Sequence, residues 1–384
     1  MSVTAAKGFR AAGVIAGIKA SGRADLALVA NLGPLNSAAA VFTSNRFAAA
    51  PVQWSQRAIA DGRLTAVVLN SGGANACTGA AGYADSVRTA ELVATALGCP
   101  AGQVAVCSTG LIGVRLPMDA VANGIGLATA ALAENGGPSA AAAIMTTDTV
   151  AKQAAHASPA GWTVGGMAKG AGMLAPALAT MLVVVTTDAV LDSGQLDQAL
   201  RTATALTFDR ADSDGCMSTN DTVLLLASGA SGVVPEPTEF TAALTQVCAS
   251  LAHQLLADAE GSSHDIEVRV TTAASEADAL EVARAVSRSN LFKCAIFGND
   301  PNWGRVLAAA GTTSAVFDPE AVDVSFNGVG VFVGGQLGAD RSQVDLSGRG
   351  VLVELALHAG TAQASIWTND LTYGYVKENA EYSS

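Results

Sequence analysis

The chain has 384 residues, half of them hydrophobic and only 14% charged, with a formal net charge of −12. That is enough chain for one large globular domain or two ordinary ones with ample core. The acidic balance, with no basic run, excludes binding to a nucleic-acid backbone, which rests on lysine and arginine.

Short β-rich runs alternate with helical ones. LTAVVLNSGG (64–73) predicts a buried strand leaving into a glycine turn, and YADSVRTAELVATALG (83–98) a helix ending at Gly98. QVAVCSTG (103–110) predicts a second strand. Pro117 stands where a helix can start, and MDAVANGIGLATAALAENGG (118–137) predicts a weak helix stopped by glycines. MLVVVTTDAV (181–190) is the most strand-like run. SGQLDQALRTATALTF (193–208) and TEFTAALTQVCASLAHQLLADAEG (238–261) predict helices, the second with Thr238 as N-cap. IEVRVTTAA (266–274) predicts a strand. SEADALEVARAVSRSN (275–290) predicts a helix with Ser275 and Asp278 at capping-box spacing. After DPNWGRVLAAAG (300–311) the chain turns β-like again in VDVSFNGVGVFVGG (322–335). The expected fold class is α/β, mixed α+β, with a loosely defined boundary near residues 262–266.

The 40 glycines and 5% aromatics call for a core of small, closely packed side chains. No stretch reaches the roughly 18 apolar residues that span a bilayer. The N-terminal segment is broken by Lys7, Arg10 and Lys19 and carries no signal-peptide core. Six cysteines lack CxxC spacing and fit neither a zinc framework nor a disulfide scaffold. They read as reduced and cytoplasmic. No metal, membrane or nucleic-acid partner is expected.

GGMAKGAG lacks the order of a phosphate loop, and NGIGLATA lacks the third glycine of a dinucleotide fingerprint. Cys107 ends a strand before Ser108, Thr109 and Gly110, where a buried core cysteine is the simpler reading. The same turn, with backbone N–H groups and a hydroxyl, has the makings of an oxyanion hole. His156, His253, His264 and His358 each stand alone, with no aspartate or serine arrangement of a triad. An acyl-transfer enzyme of this composition needs another base, and the α-amine of an N-terminal nucleophile is one. Thr180, after Ala179 at the head of a strand, is open to that reading and equally to plain β-propensity.

KGAGMLAPALATML (169–182) resembles the signature of the ornithine acetyltransferase family, also called glutamate N-acetyltransferase. NSGGANACTG (70–79), CSTGLIG (107–113), AIMTTDT (143–149), STNDT (218–222), DAEG (258–261), FGNDPNWGRV (297–306) and ENAEYSS (378–384) are similar to further blocks of that family, in family order. Ala177, Leu178 and the terminal SS depart from the asparagine, methionine and TT common there.

The resemblance implies a layered αββα-type sandwich of the DmpA-like kind. It implies a catalytic core domain over 1–265 and a smaller C-terminal α/β domain over 266–384. It further implies self-cleavage between Ala179 and Thr180 into an α chain (1–179) and a β chain (180–384), assembled as α2β2 or larger. The implied reaction moves an acetyl group from N2-acetylornithine to glutamate through acetyl-Thr180, in arginine biosynthesis. It needs no bound cofactor, and acetyl-CoA stands as an open second donor. The implied oxyanion hole is Thr109 with Gly110. The implied substrate contacts are Thr147 or Thr146, Lys169, Thr180, Glu260, Asn379 and Ser384. Read singly, Lys169 is a turn lysine, Glu260 a helix-end carboxylate, and Asn379 and Ser384 parts of a tail. Asp300, Asn302, Trp303 and Arg305 read as structural. The rivals are an N-terminal-nucleophile amidase or aminopeptidase, with water as acceptor, and an uncut, non-catalytic homologue.

Overall fold

A computed structural model of the chain describes residues 2–173 and 181–381. They fall into two compact units, the first from residues 2–173, 181–209 and 217–258, the second from 210–216 and 259–381. In chain order the first unit carries β1 (Phe9–Val14), β2 (Leu26–Asn31), β3 (Ser37–Phe42), α1 (Ala50–Ala58), β4 (Ala66–Asn70), α2 (Gly79–Leu97), β5 (Val104–Ser108), α3 (Met118–Ala130) and α4 (Gly137–Ala143). There follow β6 (Lys152–Ala157), β7 (Thr163–Lys169), β8 (Leu182–Thr187), α5 (Ser193–Leu206), β9 (Thr222–Ala227) and α6 (Pro237–Ala257).

These strands make two sheets, ordered β1-β2-β4-β5 and β3-β9-β8-β7-β6. The pairs β4–β5 and β8–β9 are parallel and the rest antiparallel. The central strands β8 and β9 are buried on both faces, so they read as unbroken apolar runs. Their side chains still alternate. Leu182, Val184, Leu224 and Leu226 share a core with the first sheet, whereas Val183, Val185, Val223 and Leu225 pack with α5 and α6. Ala90 and Val93 of α2 and Val121 and Ile125 of α3 join the core of the first sheet. The result is the αββα layering, in a mixed α/β fold.

The edge strand β5 is closed by side chains of α1. Trp54 Nε1 donates to the Val104 carbonyl (3.0 Å), and Ser55 Oγ donates to the Val106 carbonyl (2.7 Å) while accepting from the Val106 N–H (2.9 Å). Ser55 thus stands in for a missing neighbour strand.

The second unit carries β10 (Asp265–Ala273), α7 (Glu276–Ser287), α8 (Asn290–Phe297), α9 (Trp303–Ala310), β11 (Asp323–Phe326), β12 (Val329–Val333), β13 (Gln336–Leu337), β14 (Gly350–Ala356), β15 (Ala362–Asn369) and α10 (Tyr373–Glu381). Its sheet has the order β13-β12-β11-β14-β10-β15. Ile266, Val268 and Val270 of β10 pack with Ala279, Val282 and Val286 of α7. Ser275 caps α7 by accepting from the Asp278 N–H (3.1 Å), as its spacing predicts. Asn302 caps α9, and Trp303 stacks on Phe332 at 4.7 Å, so the DPNWGR block is structural.

Three expectations need correction. The stretch 118–137 is not one helix: α3 ends at Ala130, and Gly137 opens the separate α4. The N-cap of α6 is Glu236, because Pro237 occupies the first turn and its missing N–H costs nothing there; Thr238 lies inside. The histidines are not all isolated. His358 Nε2 faces Asp323 at 2.7 Å, and His264 Nδ1 lies 2.7 Å from Asp370 Oδ2 and 3.1 Å from Ser263 Oγ. The carboxylate and the hydroxyl share the Nδ1 side, while Nε2 faces the Leu346 carbonyl at 3.1 Å. No serine is therefore poised at Nε2, and the cluster ties down strand ends rather than forming a triad. No described helix is long and apolar enough to cross a membrane.

Ser55→Ala should strand the Val106 N–H and C=O on the β5 edge, at a cost of about 2 kcal/mol. The urea midpoint should fall with an unchanged slope. An unmoved midpoint would show that α1 does not hold this edge.

Candidate functional site

β7 runs antiparallel to β8, and β8 runs parallel to β9, so Lys169, Leu182 and Thr222 form one row across the second sheet. The end of β7 and the beginnings of β8 and β9 therefore meet at one place. Lys169 is the last residue of β7 and is 2% exposed. Its Nζ donates to Thr146 Oγ1 (2.8 Å) and Thr109 Oγ1 (3.3 Å), and Asp148 Oδ2 lies 4.0 Å away. Three residues far apart in sequence thus converge: Lys169, Thr109 from the turn after β5, and Thr146.

The Asp148 carboxylate organises this cluster. Oδ2 accepts from the Thr146 N–H (2.9 Å), and Oδ1 accepts from the Gly170 N–H (2.7 Å) and from Lys152 Nζ (2.6 Å). Burial by itself would raise its pKa. Lys169, Lys152 and the Gly170 amide outweigh that and bring it down to about 2. Lys152 Nζ also reaches Asp258 Oδ2 at 2.6 Å, and Asp258 accepts from the Thr149 N–H and hydroxyl. A second cation stands nearby. Lys19 Nζ donates to the Met145 carbonyl (2.6 Å), and burial, with Arg23 and Lys169 adding to it, lowers its pKa to about 8.

Thr109 is buried and Gly110 half-buried. The Thr109 N–H is spent on the Asn70 carbonyl (3.0 Å), so this residue can offer an oxyanion its hydroxyl and not its amide. Among the described residues the Gly110 N–H has no hydrogen-bond partner. Gly110 has φ +130°, and a Cβ there would sit 2.8 Å from the Gly73 nitrogen, so only glycine fits. One hydroxyl and one N–H are what a tetrahedral oxyanion requires.

Thr147 is half-buried beside Thr146, and it is Thr146 whose hydroxyl bonds Lys169. In the second unit, Asn379 Nδ2 of α10 donates to Glu260 Oε2 (3.0 Å). Gly261 follows Glu260 at φ +63°, with space for a Cβ closed by the Tyr375 nitrogen at 2.2 Å, so the turn and α10 are in direct backbone contact. Thr372 Oγ1 adds a bond to the Gly261 carbonyl (2.6 Å). Ala179, Thr180 and Ser384 lie outside the described residues.

Sequence reasoning assigned no role to Asp148, Lys152, Asp258, Lys19, Asn220 or Asp221. Asp148 and Lys152 stand four apart, which suggests a solvated helical pair, yet they flank the start of a strand and are buried. Asp221 is wholly buried and accepts from the Met181 N–H (3.1 Å). Burial pushes its carboxyl well above the usual range, against the pull of that amide and of Lys169.

A family model described as the ArgJ family matches residues 10–384. The arginine biosynthesis bifunctional protein ArgJ of Streptomyces coelicolor is 62% identical over 384 residues, covering all of both chains. Its namesake from Thermobifida fusca is 60% identical over the same span, again covering all of both. Among solved structures, an ornithine acetyltransferase from Mycobacterium tuberculosis, complexed with ornithine, is 58% identical and covers 47% of this chain and 96% of its own, with a TM-score of 0.46. With the whole length matched at this identity, the chain belongs to the ArgJ family.

Proposed function

We propose that this ArgJ-family enzyme of arginine biosynthesis transfers the acetyl group of N2-acetylornithine to glutamate through a threonine nucleophile at Thr180. The observation that carries the reading is the convergence of a buried lysine and two threonine hydroxyls beside a Gly110 N–H that has no partner among the described residues. This cluster lies where β7 ends and β8 begins, and the chain between those strands contains Thr180.

The precursor cuts itself between Ala179 and Thr180, which frees an α-amine on the residue that carries the hydroxyl. That amine takes the proton as Thr180 Oγ attacks the acetyl carbonyl. The tetrahedral oxyanion is met by the Thr109 hydroxyl and the Gly110 N–H. Collapse breaks the amide C–N bond, the ammonium returns its proton to the leaving amine, and ornithine departs from acetyl-Thr180. The amine of glutamate then attacks the ester, giving N-acetylglutamate and free Thr180.

Lys169 is the cation for the α-carboxylate that both amino acids share. Thr146 holds that lysine in place, with Thr147 as a further contact. Glu260 is the carboxylate for the side-chain ammonium of ornithine, and Asn379 and Ser384 are further substrate contacts. The relatives' name, bifunctional, supports acetyl-CoA as a second donor to the same threonine.

Intact mass under denaturing conditions should show two pieces, residues 1–179 and 180–384, with an acetyl increment on the second after exposure to acetylornithine. A single intact chain, or an acetyl group on the first piece, sinks the reading. Lys169→Met should lower kcat/KM for both amino acids about 100-fold, the scale of losing a buried charge partner. An effect on only one of them would remove the lysine from the shared carboxylate. Glu260→Gln should raise KM for acetylornithine roughly tenfold and leave the glutamate half-reaction alone. Unchanged kinetics would dispose of that role.

A further inference from the structure

The segment Ser218–Asp221 leads into β9 and is buried along its whole length. Asn220 Nδ2 donates to two carbonyls, that of Ala74 (2.6 Å) and that of Ser108 (2.8 Å). Ser108 is the residue before Thr109, and its partner Ala74 lies on the strip that pairs with the Thr109–Leu111 turn. Asn220 Oδ1 in turn accepts from Thr219 Oγ1 (2.6 Å), which fixes the amide orientation.

The next residue points the other way. Asp221 Oδ1 accepts from the Met181 N–H (3.1 Å), which belongs to the peptide bond joining Thr180 to Met181. The Thr222 N–H donates to the Met181 carbonyl (3.1 Å), so Met181 is gripped at both backbone ends. Asp221 Oδ2 is buried and makes no well-formed hydrogen bond among the described residues, although the Ser218 hydroxyl and amide lie near enough to pull the carboxyl's pKa down. Leucine has the same branched shape without an unpaired oxygen, so packing alone gives no reason for aspartate here.

We propose that Asn220 and Asp221 are a positioning pair that sets the oxyanion turn and the nucleophile in register with each other. Asn220 holds the carbonyl next to Thr109, and Asp221 holds the amide next to Thr180. Because the two side chains are adjacent on one buried segment, a single dipeptide ties the chain before Thr109 to the chain after Thr180. The inference rests on the reading of Thr180 as nucleophile.

The test uses the full chain and follows self-cleavage by intact mass and acetyl transfer by steady-state kinetics. Asp221→Leu keeps the shape and removes the acceptor. Cleavage should slow about 100-fold, the scale of a small misplacement of reacting groups, while the thermal midpoint stays close to that of the wild type. Asp221→Asn restores an acceptor oxygen and should cleave within about threefold of wild type. Asn220→Ala should lower kcat roughly 30-fold with KM nearly unchanged, because the oxyanion exists only in the transition state.

Wild-type cleavage by Asp221→Leu overturns the proposal, as does a folded Asp221→Asn that cleaves as poorly as Asp221→Leu. A rise in KM with unchanged kcat in Asn220→Ala also overturns it. If Asp221→Leu does not fold, Asp221→Asn decides: retained cleavage supports the pair and lost cleavage refutes it. Failure of the wild type itself to cleave or to become acetylated falls on the Thr180 reading, and with it on this one.

Discussion

The buried ammonium of Lys169 is the constraint around which the first unit's site is arranged. A charge taken out of water costs several kcal/mol unless it is paired and hydrogen-bonded. Here the compensation is a chain of alternating sign, running from Lys169 to Asp148, to Lys152 and to Asp258 at the end of α6. Every member is nearly or wholly buried. Lys152 is the shared partner of both carboxylates, so its loss would leave Asp258 without its cation, a change that typically costs about 3–5 kcal/mol. The network therefore couples the end of β7 to α6 and keeps one cation directed at two threonine hydroxyls.

That constraint explains the local backbone. Asp148 stays ionised in this buried position because its oxygens are hydrogen-bonded, and the Gly170 and Thr146 amides contribute to this. Both amides are available because neither residue lies inside a sheet ladder: Gly170 has just left β7, and Thr146 lies between α4 and β6. The site thus sits where chains leave the sheets, which is where backbone donors are free to serve a ligand or a transition state.

The parts of the fold legible in the sequence were those with a strong period. β4, β5, β8 and β10 and the helices α2, α5 and α7 stand close to the expected spans because their apolar runs or helical spacing are unambiguous. β1, β3, β6 and β7 were not legible, since alanine and glycine carry little hydrophobic contrast and strands such as SAAAVF and TVGGMAK show no clean alternation. At the site, the likeness of whole blocks drew attention to Thr109, Gly110 and Lys169. The charges around Lys169 were invisible for a different reason. Asp148 and Asp258 are 110 positions apart, and only the sheet brings both to Lys152. His264 and Asp370 are separated by a similar distance, so a histidine that looks solitary in the sequence is paired in the fold.

The Thr109–Gly110 turn follows β5 of the first sheet, while Lys169 ends β7 of the second and Met181 leads into β8. Two sheets held together mainly by alanine, valine and leucine have a non-directional contact, and apolar packing tolerates small relative shifts better than a reacting geometry does. Directional bonds across the interface are therefore needed, and they are concentrated at the site end. Lys169 Nζ reaches Thr109 from one sheet to the other, and Asn220 reaches the Ser108 carbonyl in the same way. Asp221 then carries the alignment along the second sheet to Met181. The apolar interior supplies the cohesion, and a few polar side chains at the strand ends supply the registry on which acyl transfer depends.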